Sequence, residues 1–341
     1  MLLFISLSEH HSIMHTSWLT AEQYASLSTK VQGAFLSPLP AFETLLISGA
    51  DNRKYLQGQT TCDLNSLTDA SFLHGAHCDA KGKMWSQFYL ADAGEQLVVI
   101  AFRDELAASS AQWKKFGVFS KVGFEAGQQH YAVFGLSCSE GTDSTALTAL
   151  IQQLDFARPA KGAVSRQQQA MLLALTDTHF LLLTPLPQAQ QIMQQGLPLA
   201  CPNAWLVRHI QQGFSYLEQG LIGELVPQML NLQALDAISF TKGCYIGQET
   251  VARLKYRGGN KRAAFIFKAH SDELPAAGTD IEIQLGDNWR RSGQVVNAAN
   301  INNELWLIAV LPNDITAADT LRLHSDSAPL LQLMPLPYSL T

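Results

Sequence analysis

Charge is scarce in this sequence. Asp, Glu, Lys and Arg make up 15% of its 341 residues, where about a quarter is usual. The balance is acidic, with 29 carboxylates against 23 lysines and arginines and a formal net charge of −6. A domain that grips nucleic acid over a broad surface is basic, so any RNA contact is confined to a local patch or is indirect. Cysteine is sparse and unpatterned. Cys62, Cys78, Cys138, Cys201 and Cys244 are odd in number and form no Cys-x-x-Cys. That spacing argues against a disulfide framework, a structural zinc or a cluster held by this chain's own thiols. No apolar run approaches the ~20 residues of a membrane span. Walker, Gly-x-Ser-x-Gly and His-Glu-x-x-His patterns are missing. His74 and His77, three apart beside a strand, fall on opposite faces and suit no metal. The expectation is a cytoplasmic protein without metal or membrane. Residues 1–8 are apolar but lack a basic flank and are too short for a signal core. Residues 1–16 are expected to be disordered or dispensable, with translation able to begin at Met14.

What is abundant is apolar side chain, 47% of residues, enough for a large core and against disorder. The length suits two or three domains. Residues 17–130 read as one α+β unit: strands at 42–48, 73–78, 84–91 and 97–102, a helix at 51–56, a glycine turn at 79–82, and a helix at 104–115 capped by Asp104. Residues 131–257 read as a second: strands at 131–136, 168–175 and 180–184, and helices at 141–154, 187–195 and 205–212. The two halves suggest ferredoxin-like α+β units. From residue 258 the pattern changes to short strands, at 263–268, 279–285, 293–296, 305–310 and 320–323, which predicts a small β-barrel over 258–341.

The segment between these architectures stands apart. Lys242, Arg253, Lys255, Arg257, Lys261 and Arg262 face one acid, Glu249. Gly243-Cys244-Tyr245-Ile246-Gly247 precedes a predicted helix over 248–256, closed by Gly258-Gly259. A thiol just ahead of a helix N-terminus and near Lys242 lies in a positive field that favours thiolate. The competing reading is a small buried apolar cysteine.

Lys242-Gly-Cys-Tyr-Ile-Gly-Gln-Glu249 resembles the Lys-Gly-Cys-Tyr-x-Gly-Gln-Glu signature of the YgfZ family, folate-binding proteins linked to tRNA modification and iron–sulfur enzyme maintenance. Ala76–Trp85, Tyr55–Gln59, Asn231–Leu235, Asn260–Arg262 and Pro335–Ser339 extend the likeness from about residue 19 to the end. The resemblance implies the fold of the glycine-cleavage T protein: two interwoven α+β domains and a barrel around a folate site. It implies tetrahydrofolate or a one-carbon derivative as cofactor, Trp205 and Phe42 as walls for the pterin, and Cys244 as functional thiol with Lys242 beside it. Tyr245, Gln248, Glu249, Arg253 and Arg257 become candidate folate contacts. Phe42 stands where some members carry tryptophan. Trp85 and Ser86 stand where the T protein's hairpin carries carboxylates, which counts against aminomethyl transfer. The implied role is a monomeric accessory to iron–sulfur enzymes, notably radical enzymes that thiomethylate tRNA. A folate-dependent one-carbon transferase and a non-catalytic tRNA- or protein-docking scaffold are the alternatives.

Overall fold

Period-two stripes of apolar residues sort the strands into layers. In the computed structural model, residues 18–325 and 329–340 are described. The stretch 1–16 lies outside them. Strand β1 (Ala34–Pro38) does not pair with its successor β2 (Phe42–Ser48). Strand β2 joins β3 (Phe72–Cys78), β4 (Met84–Asp92), β5 (Leu97–Phe102) and β6 (Gly123–Ala126) in an antiparallel sheet of order β3-β4-β5-β2-β6. Strand β1 instead edges a second sheet with β7 (Tyr131–Cys138), β8 (Val164–Gln167), β9 (Ala170–Ala174) and β10 (His179–Pro185), of order β1-β7-β10-β9-β8. The expected cut between 130 and 131 is therefore crossed by β1, and the two units interweave.

Alternation along each strand feeds two cores. Leu45, Ile47, Phe88, Leu90 and Val99 face Tyr55 and Leu56 of α2 (Asn52–Gln57) and Leu106 and Trp113 of α3 (Arg103–Phe116). A short α1 (Ala21–Ala25) precedes these, closed by a capping box between Thr20 and Gln23. From the opposite face Leu46, Tyr89, Val98 and Ile100 meet Val133, Leu173, Leu181 and Leu183 of the second sheet. That sheet's far face, with Phe134, Leu172, Phe180 and Leu182, is covered by Leu147, Leu150 and Ile151 of α4 (Ser144–Gln153) and by Ala189 and Ile192 of α5 (Leu186–Ile192). The layers run helix, sheet, sheet, helix.

Strands β11 (Arg262–His270), β12 (Asp280–Leu285), β13 (Asn288–Ile301), β14 (Glu304–Pro312), β15 (Leu321–Leu323) and β16 (Leu330–Met334) close a barrel of order β11-β14-β13-β12-β15-β16. Phe265, Phe267, Leu305 and Leu307 fill it. Ile266, Trp306, Ile308 and Val310 face outward into the core shared by the sheets. Helix α6 (Pro202–Gln211) touches β1, β7, β13 and β14, so it wedges between barrel and second sheet.

Local reading missed three strands and misplaced others. Strands β1 and β8 are short edges, and β1 ends in proline, which edges tolerate. Among the described residues strand β16 pairs only with β11 and β15. Strand β13 is 14 residues long, not four, and carries a bulge after Val295. The expected strand 168–175 is realised as β9 over 170–174, its first residues forming the turn from β8 with Gln168 at φ 52°. Asp104 is not a cap: the helix starts at Arg103, and Asp104 Oδ2 accepts the Gln219 N–H at 3.0 Å.

Candidate functional site

The glycine turn and the cysteine segment, far apart in sequence, dock on one another. Gly247 adopts φ 85°, and a Cβ there would lie 2.6 Å from the Asp79 carbonyl oxygen and 3.0 Å from Gly82 Cα. Gly82, at φ 79°, would meet Thr250 Cβ at 2.8 Å. Both positions thus need glycine for backbone conformation and for contact. Gly243 has nothing within 4 Å of such a Cβ and no steric reason to be glycine. The Asp79 carboxylate is spent on its own turn, accepting the Lys81 and Lys83 N–H groups at 2.8 Å each.

The cysteine loop is anchored on either side of its thiol. Lys242 is buried, and its Nζ donates to the carbonyls of Thr60 at 2.8 Å and Cys62 at 2.6 Å. The ammonium also lies 5.2 Å from the Tyr245 ring centroid. Burial lowers the Lys242 pKa from its ordinary value. Tyr245 is buried too, and burial pushes its phenol well up. The Ile246 N–H bonds the Gly58 carbonyl at 3.1 Å. Lys242 is therefore a structural post and does not serve as a free cation beside the thiol, as the sequence suggested. Between the anchors Cys244 is exposed, whereas Cys62, Cys78 and Cys138 are buried and Cys201 is half-buried. The reading of Cys244 as a buried apolar residue fails.

Helix α7 (Gln248–Tyr256) follows, with Gly247 as its N-cap. Gln248 is half-buried, while Glu249, Arg253 and Arg257 are exposed. His74 and His77 do point apart, His74 stacking on Tyr89 and His77 on Trp113.

A second locus lies at the centre of the sheets. A cavity of about 10 Å³ is lined by Phe42, Phe102, Tyr216, His209, His74, Gln87, Glu105 and Ser215, among others. No residue of 240–262 lines it, so the expectation that Cys244 looks into the same cleft as the ring-binding residues is not met. Gln248, Glu249, Arg253 and Arg257 are likewise outside it. Phe42 lines it and packs edge-on against Trp205 at 5.6 Å and Tyr216 at 6.1 Å. Trp205 does not offer a wall. It is fully buried, with His179 stacked at 4.4 Å and His209 at 4.5 Å, and its indole N–H donates to the Phe180 carbonyl at 3.1 Å. Gly135 lies so close beneath that a Cβ would come within 2.3 Å of the indole. Trp205 instead braces the imidazoles behind Phe42.

Polar groups missed in the sequence gather here. Glu105, buried on α3, accepts the Gln87 N–H at 2.9 Å, and Gln87 Nε2 donates to Ser215 Oγ at 3.0 Å. Burial raises the Glu105 pKa well above the usual carboxylate range. Burial lowers His209 to about 3 and His74 to about 4. His74 Nδ1 is buried without a hydrogen-bond partner among the described residues. A signal for Glu105 existed: it recurs at four-residue spacing with Ser109 and Trp113, which marks an acid on a buried helix stripe. Ser86, at a position expected to carry a carboxylate, accepts from Ser109 Oγ at 2.7 Å.

These layers, with a barrel packed on interwoven sheets, define a protein of the aminomethyltransferase T fold. The glycine cleavage system aminomethyltransferase T from Bartonella henselae superposes with TM-score 0.67 at 11% identity, over 93% of this chain and 88% of that one. The family profile "YgfZ, beta-barrel domain" matches residues 260–326. The "tRNA-modifying protein YgfZ" of Yersinia pestis (strain Pestoides F) is 42% identical over 311 residues, 89% of this chain and 92% of the relative. That of Yersinia enterocolitica is 41% identical over 314 residues, 90% and 93%. The chain belongs to the YgfZ family. Among the described residues no helix is long and apolar enough to cross a membrane.

Proposed function

We propose that this protein is a folate-binding accessory of tRNA modification in the cytoplasm, supporting iron–sulfur enzymes that thiomethylate tRNA, with Cys244 as its functional thiol. The observation that carries the reading is the placement of that thiol. Of five cysteines it alone is exposed, on a loop pinned by buried Lys242 and Tyr245. A rigid loop that presents a reactive atom to solvent is the arrangement expected of a site and not of a core.

Folate is assigned to the central cavity by its chemistry. Flat rings at Phe42, Phe102 and Tyr216 suit a pterin. The Gln87 amide, the Glu105 carboxyl and the His74 imidazole suit its polar edge. At about 10 Å³ the cavity holds little more than a water, so binding displaces one of these rings. When bound, a reduced folate supplies a carrier for one-carbon units. The chain's residues orient the ring and exclude water. Glu105 also favours a second reading, a one-carbon transferase with an unidentified acceptor: a carboxyl whose pKa burial raises lines the same cavity, the kind of group that serves as a general acid. Loss of a methylene group from bound folate during turnover would distinguish it.

The test is complementation. In cells lacking the protein, mass spectrometry of tRNA hydrolysates should show thiomethylated nucleosides restored by the wild-type chain. Their continued absence, with the protein present and folded, would overturn the accessory role.

A further inference from the structure

Among the described residues, three of the six cations in the basic segment, Arg253, Arg257 and Lys261, have no side-chain partner, and a fourth, Lys255, lies over the Phe240 ring. Lys242 is consumed by two carbonyls, and Arg262 donates to those of Ser292 and Val310. Arg253, Lys255, Arg257 and Lys261 are exposed and make no ion pair among the described residues. Among them stands Tyr256, 69% exposed, with Lys255 Nζ 3.8 Å from the Phe240 ring centroid and 5.8 Å from that of Tyr256. The carboxylate in this stretch, Glu249, is outnumbered.

A second cluster of the same kind ends α3. Lys114, Lys115 and Lys121 are exposed and flank Phe116 at 52%, Val118 at 71% and Phe119 at 101% exposure. The loop is held, not loose. Gly117 packs under Val122 and Phe124, the Ser120 N–H bonds the Gly117 carbonyl at 2.9 Å, and Asp51 Oδ2 accepts the Lys121 N–H at 2.9 Å. Holding a phenylalanine wholly in water on a fixed turn opposes the hydrophobic effect, and such a residue marks a contact surface.

Helix α2 runs from the Phe119 cluster to the cysteine loop that leads into α7, whose last turn carries the first cluster. Its N-cap Asp51 is tied to Lys121, and Tyr55 Oη donates to the Trp113 carbonyl at 2.8 Å. At its other end the Gly58 carbonyl accepts the Ile246 N–H of the cysteine loop. Between them Lys54 is exposed. At 1.5 Å per residue the helix spans about 9 Å, roughly the reach of one or two nucleotides of extended chain.

We propose that α2, with the Phe119 cluster at one end and the cysteine loop and α7 at the other, forms a docking strip for an unpaired stretch of RNA, with Tyr256 and Phe119 stacking bases and Lys54, Arg253 and Lys121 contacting phosphates. Unpaired RNA fits because it offers base faces and backbone charge together, whereas a duplex hides its bases. The strip brings that RNA past exposed Cys244. That the RNA is a tRNA loop rests on the tRNA-modification role proposed above.

The test uses the full chain and a fluorescently labelled, unmodified tRNA anticodon stem–loop, with a fully paired hairpin of equal length as control. The wild type should bind the stem–loop more tightly than the hairpin, with affinity falling steeply with salt. Tyr256→Ala with Phe119→Ala should weaken binding at least tenfold at unchanged salt slope. Lys54→Glu should weaken it and flatten the slope. These side chains are exposed, so unchanged thermal melting will confirm folding. Equal binding of loop and hairpin, or loss on mutation at one end only, overturns the strip. So does binding to anionic phosphatidylserine vesicles without binding to RNA. Restored thiomethylation by a wild-type chain that binds no RNA would overturn the strip and leave the accessory role standing.

Discussion

Replacing Cys244 with alanine is expected to leave the fold intact and abolish restoration of tRNA thiomethylation in cells lacking the protein. The two halves of that result have separate causes. The side chain is exposed, and its loop is held by bonds it does not make: Lys242 to Thr60 and Cys62, and Ile246 to Gly58. Exposed substitutions away from caps and cores usually shift stability by no more than about 0.5 kcal/mol, so the melting temperature should move little. On the proposal above, activity depends on the sulfur itself, and no neighbouring cysteine is exposed to replace it. Cys62 and Cys78 lie beneath the loop, and burial raises both thiols above their ordinary pKa, which keeps them protonated and inert. Serine at 244 should fail as alanine does. Full complementation by Cys244→Ala, at wild-type protein level, would remove the thiol from the mechanism.

The second large effect is on stability against pH. Burial lowers His74 to about 4 and His77 and His209 to about 3, and holds His179 well below its ordinary value. Their unfolded pKa is about 6.5. Between these limits the unfolded chain binds protons that the folded chain refuses, so stability falls as pH falls below the unfolded value and the decline levels off near the folded values. Glu105 acts with opposite sign. Its raised pKa makes folding costly at neutral pH and eases that cost on acidification. Four histidines against one carboxyl leave a net loss of roughly 3–5 kcal/mol between pH 7 and pH 5.5, a large share of a typical domain's stability. Urea denaturation at the two pH values should show the midpoint falling markedly. An unchanged midpoint would mean that the buried imidazoles are charged or hydrated in the native state. His77 stacks on Trp113 and bonds Ser109, away from the cavity, so His77→Gln should remove one proton from the dependence without touching ligand binding.

The cysteine segment was legible because its signals are local: a charge run, two glycines and a helix start lie within about twenty residues. So was the barrel, since residues 263–267 alternate cleanly between its interior and the shared core. Trp205 was not, because its two faces are closed by His179 from β10 and by His209 one turn along α6, and the first of these comes from another element. Lys242 misled for the same reason, its partners Thr60 and Cys62 being some 180 residues away. Several motifs that carried the family resemblance prove to be long-range staples. Asn231, at φ 57°, donates to the Ala264 carbonyl at 2.8 Å and accepts its N–H at 3.3 Å, locking the barrel's first strand. Tyr338 Oη bonds the Gly213 carbonyl at 3.0 Å, over a glycine whose Cβ would strike the phenol ring at 2.4 Å. A motif match cannot separate such staples from chemistry, because both fix residue identity.

The central claim is that the cavity behind Phe42 binds a reduced folate, and calorimetric titration of the purified protein with tetrahydrofolate tests it most directly. The account predicts saturable binding at one site per chain, weakened at least several-fold by Phe42→Ala in a variant that still melts cooperatively. Absence of binding by the wild-type protein, or equal affinity in the Phe42 variant, would contradict it.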